Sequence, residues 1–139
     1  MHSQDSDTTP PPATSPAARQ VATAAVIDVV CVVLFCAIGR RSHAEGLTLT
    51  GVAETAWPFL AGTAVGWLLS RLWPGGPHGP AAVYPAGVTI WLATVVIGML
   101  LRALTGQGVA FSFIVVASIV TALLLLGWRA VWALVSRMG

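Results

Sequence analysis

The chain has 139 residues, of which 56% are hydrophobic and only 9% are charged. Because a soluble domain carries about 25% charged residues, this composition excludes an ordinary soluble globular protein and favours a protein embedded in lipid. The formal net charge of +2 comes from seven arginines scattered along the chain, without any lysine. This basic excess is too small and too dispersed to indicate a nucleic-acid-binding surface.

The first 18 residues differ in composition from the rest of the chain. They consist mainly of Ser, Thr, Pro and Ala with two aspartates, and they have almost nothing to bury in a core. We therefore expect residues 1–18 to form a disordered tail and residues 19–139 to form one domain. A secretory signal places a basic segment before a short apolar core, whereas this acidic tail precedes a full-length apolar segment. We expect the first span to be retained.

Four apolar segments follow the tail, at residues 21–39, 52–70, 82–101 and 109–128. A membrane helix needs about 20 mainly apolar residues to cross about 30 Å of hydrocarbon, and each segment meets that length. The connections between them are short, so successive helices should run antiparallel. The sequence predicts an all-α, polytopic membrane protein whose four transmembrane helices form an up-down bundle. Residues 129–137 should extend the last helix beyond the bilayer, with both arginines directed towards lipid phosphate.

Four crossings place both termini on the same side of the membrane as the second loop. That side carries four arginines and the opposite side carries three, so the positive-inside rule favours cytoplasmic termini in a plasma membrane. The terminal side also collects aromatic residues suited to headgroup depth. These residues are Trp67, Trp73, Tyr84, Trp128 and Trp132.

Short motifs recur in the two halves of the chain. Ile38-Gly39 near the end of the first span matches Ile97-Gly98 near the end of the third, and Gly66-Trp67 matches Gly127-Trp128. This pattern suggests two related helical hairpins with an axis along the membrane normal. The alternative is chance, because such residues are common at the ends of membrane helices.

Several of these motifs together resemble a known family. They are the IGRRSHAEG run at residues 38–46, AWPFL at 56–60, TVVIGMLLR at 94–102 and LLLGWR at 124–129. In combination they are similar to the bacterial membrane family called domain of unknown function 3054, over almost the whole chain beyond the tail. The resemblance implies a small multi-pass membrane protein without an assigned activity, and it transfers no catalytic or binding residue.

Asp28 lies about seven residues, or roughly 10 Å, inside the first span. An ionisable group at this depth is costly and is by default a candidate for function. Thr63, Thr89 and Thr121 come at the same depth, one from each of the other helices. We expect their hydroxyls to satisfy the carboxyl group without a counter-ion. These four residues form either a structural hydrogen-bonded network that sets the helix register or a proton or ion relay. In both cases Asp28→Asn should preserve folding.

Five polar residues gather at the opposite end of the predicted bundle: Arg40, Arg41, His43, Glu54 and Arg102. The sign of each charge suits the dipole of the adjacent helix, so a purely structural role is one interpretation. In the other interpretation they form a polar mouth that binds an anion or passes a proton.

Small residues recur every four positions along the second helix, at Gly62, Gly66 and Ser70. Such a pattern allows two helices to approach closely, either inside the bundle or between protomers.

The sequence offers no Gly-rich phosphate loop, no metal-binding spacing and no Ser-His-acid set. We therefore expect no enzyme activity, cofactor or metal. The pattern favours an oligomeric channel, carrier or membrane-complex subunit in the lipid bilayer, as a homo-oligomer or with a membrane-protein partner. One alternative is an accessory partner of a larger envelope complex that transports nothing itself. Another, with less support, is a membrane enzyme that uses His43 and Glu54 on a lipid-linked substrate.

Overall fold

The computed structural model describes residues 16–42, 48–71 and 79–138, and in these ranges the chain forms helices and no strands. The four α-helices are α1 (Pro16–Ser42), α2 (Leu49–Ser70), α3 (Val88–Leu104) and α4 (Phe111–Met138). A π-helical turn, Val83–Gly87, leads into α3. The prediction of an all-α protein is confirmed. The predicted tail lies outside the described residues except for residues 16–18, which already belong to α1.

The helix ends follow from local chemistry. The Thr48 hydroxyl accepts a hydrogen bond from the Gly51 amide at 3.0 Å, which caps the start of α2,. At the end of α3, Gly106 has a φ of 76°, a left-handed conformation that glycine adopts without a steric penalty,. The α1 and α4 helices have 27 and 28 residues, or about 40 Å each at 1.5 Å per residue. They are therefore longer than the hydrocarbon layer is thick.

The helices form a ring in which α1 contacts α2, α2 contacts α3, α3 contacts α4 and α4 contacts α1. Across the described residues, no backbone contact joins the diagonal pairs α1–α3 and α2–α4. Each helix places its end beside the start of the next, as three contacts show: Arg40 with Thr55, Gly66 with Ile90, and Arg102 with Phe113. The predicted up-down arrangement of four helices is therefore present.

Three segments are long and apolar enough to cross a membrane: Ala18–Arg40, Val83–Leu104 and Phe111–Met138. The α2 helix is not among them, so the structure supports three of the four predicted spans. Large apolar side chains are exposed in stripes along the outer helix faces, at Val26, Val30 and Leu34 on α1 and at Leu92, Val96 and Leu100 on α3. Such stripes are unfavourable in water and suit a lipid environment.

Three phenylalanines fill the centre of the bundle towards the end where α1 meets α2. Phe35 and Phe59 meet edge to face with ring centroids 5.4 Å apart, and Phe113 lies 6.5 Å and 6.3 Å from them. We call these three residues the aromatic core. Phe59 is fully buried and Phe35 is nearly so. The aromatic core therefore fills the interior of the bundle near this end.

The most extensive interface lies between α2 and α3. A Cβ atom added at Gly62 would come within 2.7 Å of the Ala93 carbonyl oxygen, and one at Gly66 within 2.7 Å of the Ile90 Cα. Both glycines therefore bring the two backbones together inside the bundle, as one of the two interpretations expects. Ser70 instead donates a hydrogen bond to the Trp67 carbonyl of its own helix, at 2.8 Å.

We predict that Gly62→Ala will destabilise the bundle by about 1–3 kcal/mol, because the new methyl group meets backbone atoms of α3 that cannot move aside. Thermal unfolding of the purified protein in detergent would measure the change. The matched control is Gly127→Ala in α4, where an added Cβ would meet nothing within 4 Å. That control should be neutral or slightly stabilising. Equal losses in the two variants would contradict the close packing of α2 on α3.

Candidate functional site

The carboxylate of Asp28 is the centre of the best-formed polar site in the described structure. The side chain is fully buried, and Arg129 binds it with two parallel hydrogen bonds, from Nη1 to Oδ1 at 2.8 Å and from Nη2 to Oδ2 at 2.7 Å. The indole Nε1 of Trp128 donates to Oδ1 at 2.9 Å, and that of Trp67 donates to Oδ2 at 3.0 Å. We call these four residues the Asp28 cluster.

Arg129 is fully buried as well. Its Nε donates to the Pro80 carbonyl at 3.0 Å, and its Nη1 also donates to the Leu125 carbonyl at 3.0 Å. The guanidinium carbon lies 4.5 Å from the centre of the Trp128 ring, in a cation–π arrangement,. A Cβ at position 87 would lie 2.7 Å from the Arg129 Cδ, so Gly87 leaves the space through which this side chain passes.

The negative charge of Asp28 is compensated within the protein by the positive charge of Arg129. A buried charge is tolerated when a counter-charge and hydrogen bonds replace its water. Here each carboxylate oxygen accepts one guanidinium and one indole bond. Every buried side-chain nitrogen or oxygen in the described ranges has a hydrogen-bond partner. The partners come from α1, α2, α4 and the segment before α3, so the cluster joins three of the four helices to that segment at one point.

The prediction that three threonines satisfy Asp28 without a counter-ion is wrong. Thr63 donates to the Phe59 carbonyl at 2.8 Å and lies 2.8 Å from the Thr94 hydroxyl. Thr121 donates to the Ala117 carbonyl of its own helix. Thr89 is half-buried on α3 and is not among the partners of Asp28. Hydroxyl groups do not neutralise a carboxylate, whereas a guanidinium neutralises it and matches its geometry.

The prediction that Arg129 extends towards lipid phosphate is also wrong, and the reason is geometric. In a helix the Cα–Cβ bond tilts towards the N-terminus. The N-terminal direction of α4 leads into the bundle, so Arg129 reaches inward from the membrane face to the depth of Asp28. The signal in the sequence that could have found this pair is the depth of Asp28 itself, since an intramembrane carboxylate often pairs with a charged residue.

A second polar region lies at the other end of the bundle. Arg40 donates to the Thr55 hydroxyl at 3.1 Å. Arg102 donates through Nε and Nη2 to the Gly108 carbonyl at 3.1 and 2.9 Å, and through Nη1 to the Gln107 side chain at 2.9 Å. Its guanidinium carbon also lies 4.5 Å from the centre of the Phe113 ring. These bonds hold both guanidinium groups at the rim of the bundle.

Both arginines border a cavity of about 340 Å³, here called the mouth cavity, lined by Arg40, Glu54, Thr55, Trp57, Arg102 and Gln107. A second cavity of about 230 Å³ shares Arg40, Thr55 and Arg102 and extends to Phe35 and Phe113 of the aromatic core. The structure therefore brings together three of the five predicted mouth residues. His43 and the side chain of Arg41 lie outside the described part of the chain.

We predict that Arg129→Gln will destabilise the protein by about 3–5 kcal/mol, because it leaves the Asp28 charge buried without a partner. Asp28→Asn should act in the same direction, contrary to the expectation from sequence, because Arg129 then loses its counter-charge. Denaturant unfolding in detergent, followed by tryptophan fluorescence, would measure both changes.

Two controls make this test specific. Arg137→Gln removes an exposed arginine of the same helix and should change stability by less than about 0.5 kcal/mol. The double replacement Asp28→Leu with Arg129→Met should recover most of the single-variant loss, because it leaves no unpaired charge. Strictly additive losses in the double variant would show that the two groups do not act as a pair.

A family model described as "Protein of unknown function (DUF3054)" matches residues 25–132. Neither the comparison with curated proteins nor the comparison with solved structures gives a match. The matched range contains every member of the Asp28 cluster and of the mouth cavity.

Proposed function

We propose that this chain, which belongs to the DUF3054 family of proteins of unknown function, crosses the membrane four times and acts as a subunit of a carrier for small anions. The observation that supports this proposal is the mouth cavity, in which guanidinium groups from two different helices border one space of about 340 Å³. The coarser conclusion, a helical membrane protein of unknown function, is already clear from the family and from three apolar helices.

The fourth crossing follows from the position of α2 in the ring. This helix has 22 residues, or about 33 Å at 1.5 Å per residue. It runs antiparallel to α1 and α3, with contacts near both of its ends. If α1 and α3 cross the bilayer, α2 lies at the same depth between them. Its lower apolarity is compatible with this position because its small and polar residues Gly62, Thr63 and Gly66 are buried.

The orientation of the chain remains a prediction, and the structure weakens its basis. Arg129 is buried in the Asp28 cluster, so it no longer counts as a charge at the membrane surface. Three arginines then remain on each side, and the positive-inside rule favours neither. Cytoplasmic termini and a plasma-membrane location rest on the sequence expectation alone.

The mouth cavity has the chemistry of an anion site. Arginine provides a fixed positive charge and a planar set of donors that match oxyanions. The Thr55 hydroxyl and the Gln107 amide add neutral polar groups to the same lining, and Glu54 is the one acidic residue among the lining residues. A small anion that enters this space would exchange its water for these groups. The cavity would reject a large ligand because of its size.

The aromatic core favours a carrier over an open channel. The cavity of about 230 Å³ that shares Arg40 and Arg102 with the mouth cavity ends against Phe35 and Phe113. The Asp28 cluster fills the opposite half of the bundle. An ion therefore has no continuous polar route through a single chain in the described structure, and passage requires a rearrangement or a second protomer. For this reason we include oligomerisation in the proposal.

An accessory role in a larger envelope complex is the second candidate. The Asp28 cluster supports it, because a neutralised and enclosed carboxylate acts as a structural connection and is poorly placed to relay protons. The enzyme alternative gains no support, since Glu54 is exposed and His43 lies outside the described residues.

We predict that the purified protein in liposomes will take up at least one of three probe anions, inorganic phosphate, chloride or acetate, faster than empty liposomes do. Arg102→Gln and Arg40→Gln should each slow this uptake at least tenfold, because a hydrogen bond to a charged group contributes about 1.5–3 kcal/mol. Isotope or anion-electrode flux assays would measure the rates.

The matched control is Arg71→Gln, which removes an exposed arginine at the other end of α2 and should leave uptake within twofold of the original rate. Circular dichroism would confirm that the mouth variants keep their helical content. Failure of all three anions to move, or equal rates in the mouth and control variants, would overturn the carrier proposal and favour the accessory role.

A further inference from the structure

A groove separates α1 from α4 at the end of the bundle that carries the chain termini. It has a volume of about 460 Å³ and includes Arg19, Gln20, Ile27, Trp128 and Trp132 in its lining. We call it the terminal groove. It lies next to the Asp28 cluster, because Trp128 belongs to both. None of the mouth residues takes part in it.

The walls of the terminal groove change in polarity along the helix axis. Arg19, Gln20 and Thr23 line its outer part, and Ala24 and Ile27 line its inner part on the same face of α1,. From position 19 to position 27 the distance along the helix is about 12 Å. Trp128 and Trp132, one turn apart, form the wall on α4. The groove is therefore polar and cationic outside and apolar inside.

We propose that the terminal groove binds one anionic phospholipid from the surrounding bilayer. Its headgroup phosphate contacts Arg19 and Gln20, and an acyl chain lies along Ile27 and the two indole rings. Three observations support this occupant: the basic charge at the outer rim, the polarity gradient that matches that of a lipid, and the two indole rings that line the apolar part of the groove,. The volume is within the usual range for small-ligand sites.

The position of Trp128 links this site to the stability of the fold. The Nε1 of Trp128 donates to Asp28, and its ring lies under the Arg129 guanidinium. A lipid chain against the same ring would hold it in place and exclude water from the buried ion pair. A ligand that binds only the folded state also raises its stability in proportion to occupancy. The bound lipid therefore stabilises the bundle.

Native mass spectrometry of the full chain in a neutral detergent, with added phosphatidylglycerol or phosphatidylcholine, would test the proposal. We expect one phosphatidylglycerol per chain, bound at least fivefold more tightly than phosphatidylcholine. Arg19→Gln should reduce this preference to less than twofold. The matched control Arg137→Gln removes an exposed arginine at the same end of the bundle, outside the groove lining, and should keep the preference.

A second pair of variants tests the apolar wall. Trp132→Ala should weaken binding of both lipids at least threefold, whereas Val131→Ala, on the exposed side of the same helix turn, should not. Equal binding of the two lipids to the original protein would overturn the proposal. The same holds if Arg19→Gln and Arg137→Gln behave alike.

Two other occupants are separate outcomes of this experiment. The N-terminal residues include Asp5 and Asp7, which also complement Arg19. If deletion of residues 2–15 increases phosphatidylglycerol binding fivefold or more, the tail occupies the groove and the proposal is wrong. If the chain is a dimer that Trp132→Ala dissociates, a second copy occupies the groove, and the proposal is again wrong.

Discussion

The paired hydrogen bonds between Asp28 and Arg129 are the interaction on which the rest of the structure depends. In lipid, helices gain little from burying apolar surface against one another, because the surrounding chains are equally apolar. Close packing and polar contacts must then select the arrangement. The Asp28 cluster provides such a contact for α1, α2, α4 and Pro80 together. A shift of α1, α2 or α4 by a turn would separate the buried carboxylate from a hydrogen-bond partner, so the cluster fixes the relative positions of these three helices as well as their stability,.

The cluster also relates the two halves of the chain. Trp67 and Trp128, which follow glycine in the repeated motif, donate to the two different oxygens of one carboxylate. The halves differ where charge is needed, since Leu68 follows the first tryptophan and Arg129 follows the second. By the Ile-Gly alignment of 38–39 with 97–98, the counterpart of Asp28 is Gly87, which leaves room for the Arg129 side chain. These complementary differences are compatible with two related hairpins, although that relation stays a prediction.

The sequence was sufficient for the helices, their antiparallel order and the family, because those features depend on long apolar segments and short connections. It was insufficient for the partners of Asp28. A sequence gives the depth of each backbone position in the membrane, and by that measure Thr63, Thr89 and Thr121 lie level with Asp28. The side chain of Arg129 is long and points towards the start of its helix, so its guanidinium reaches the depth of Asp28 although its backbone lies nearer the membrane surface. From sequence the tryptophans are typical of interface residues, because an indole donor can be assigned only when its acceptor is located in space. Arg40, Glu54 and Arg102 line one cavity because each lies near a helix end that the predicted topology brings together.

The positions of these contacts also indicate how the bundle can move. The α2 and α3 helices approach closely through their backbones at Gly62 and Gly66, so a displacement of one against the other would disrupt this packing. The Asp28 cluster connects α2 to α1 and α4 at the terminal end. At the mouth, the contacts include those of the long side chains of Arg40 and Arg102 with a hydroxyl, an amide and a carbonyl at the rim. Such bonds exchange readily with water or an anion at a modest net cost, whereas a buried ion pair does not. Under the carrier proposal, a rearrangement that admits an anion is therefore less costly at the mouth than at the Asp28 cluster.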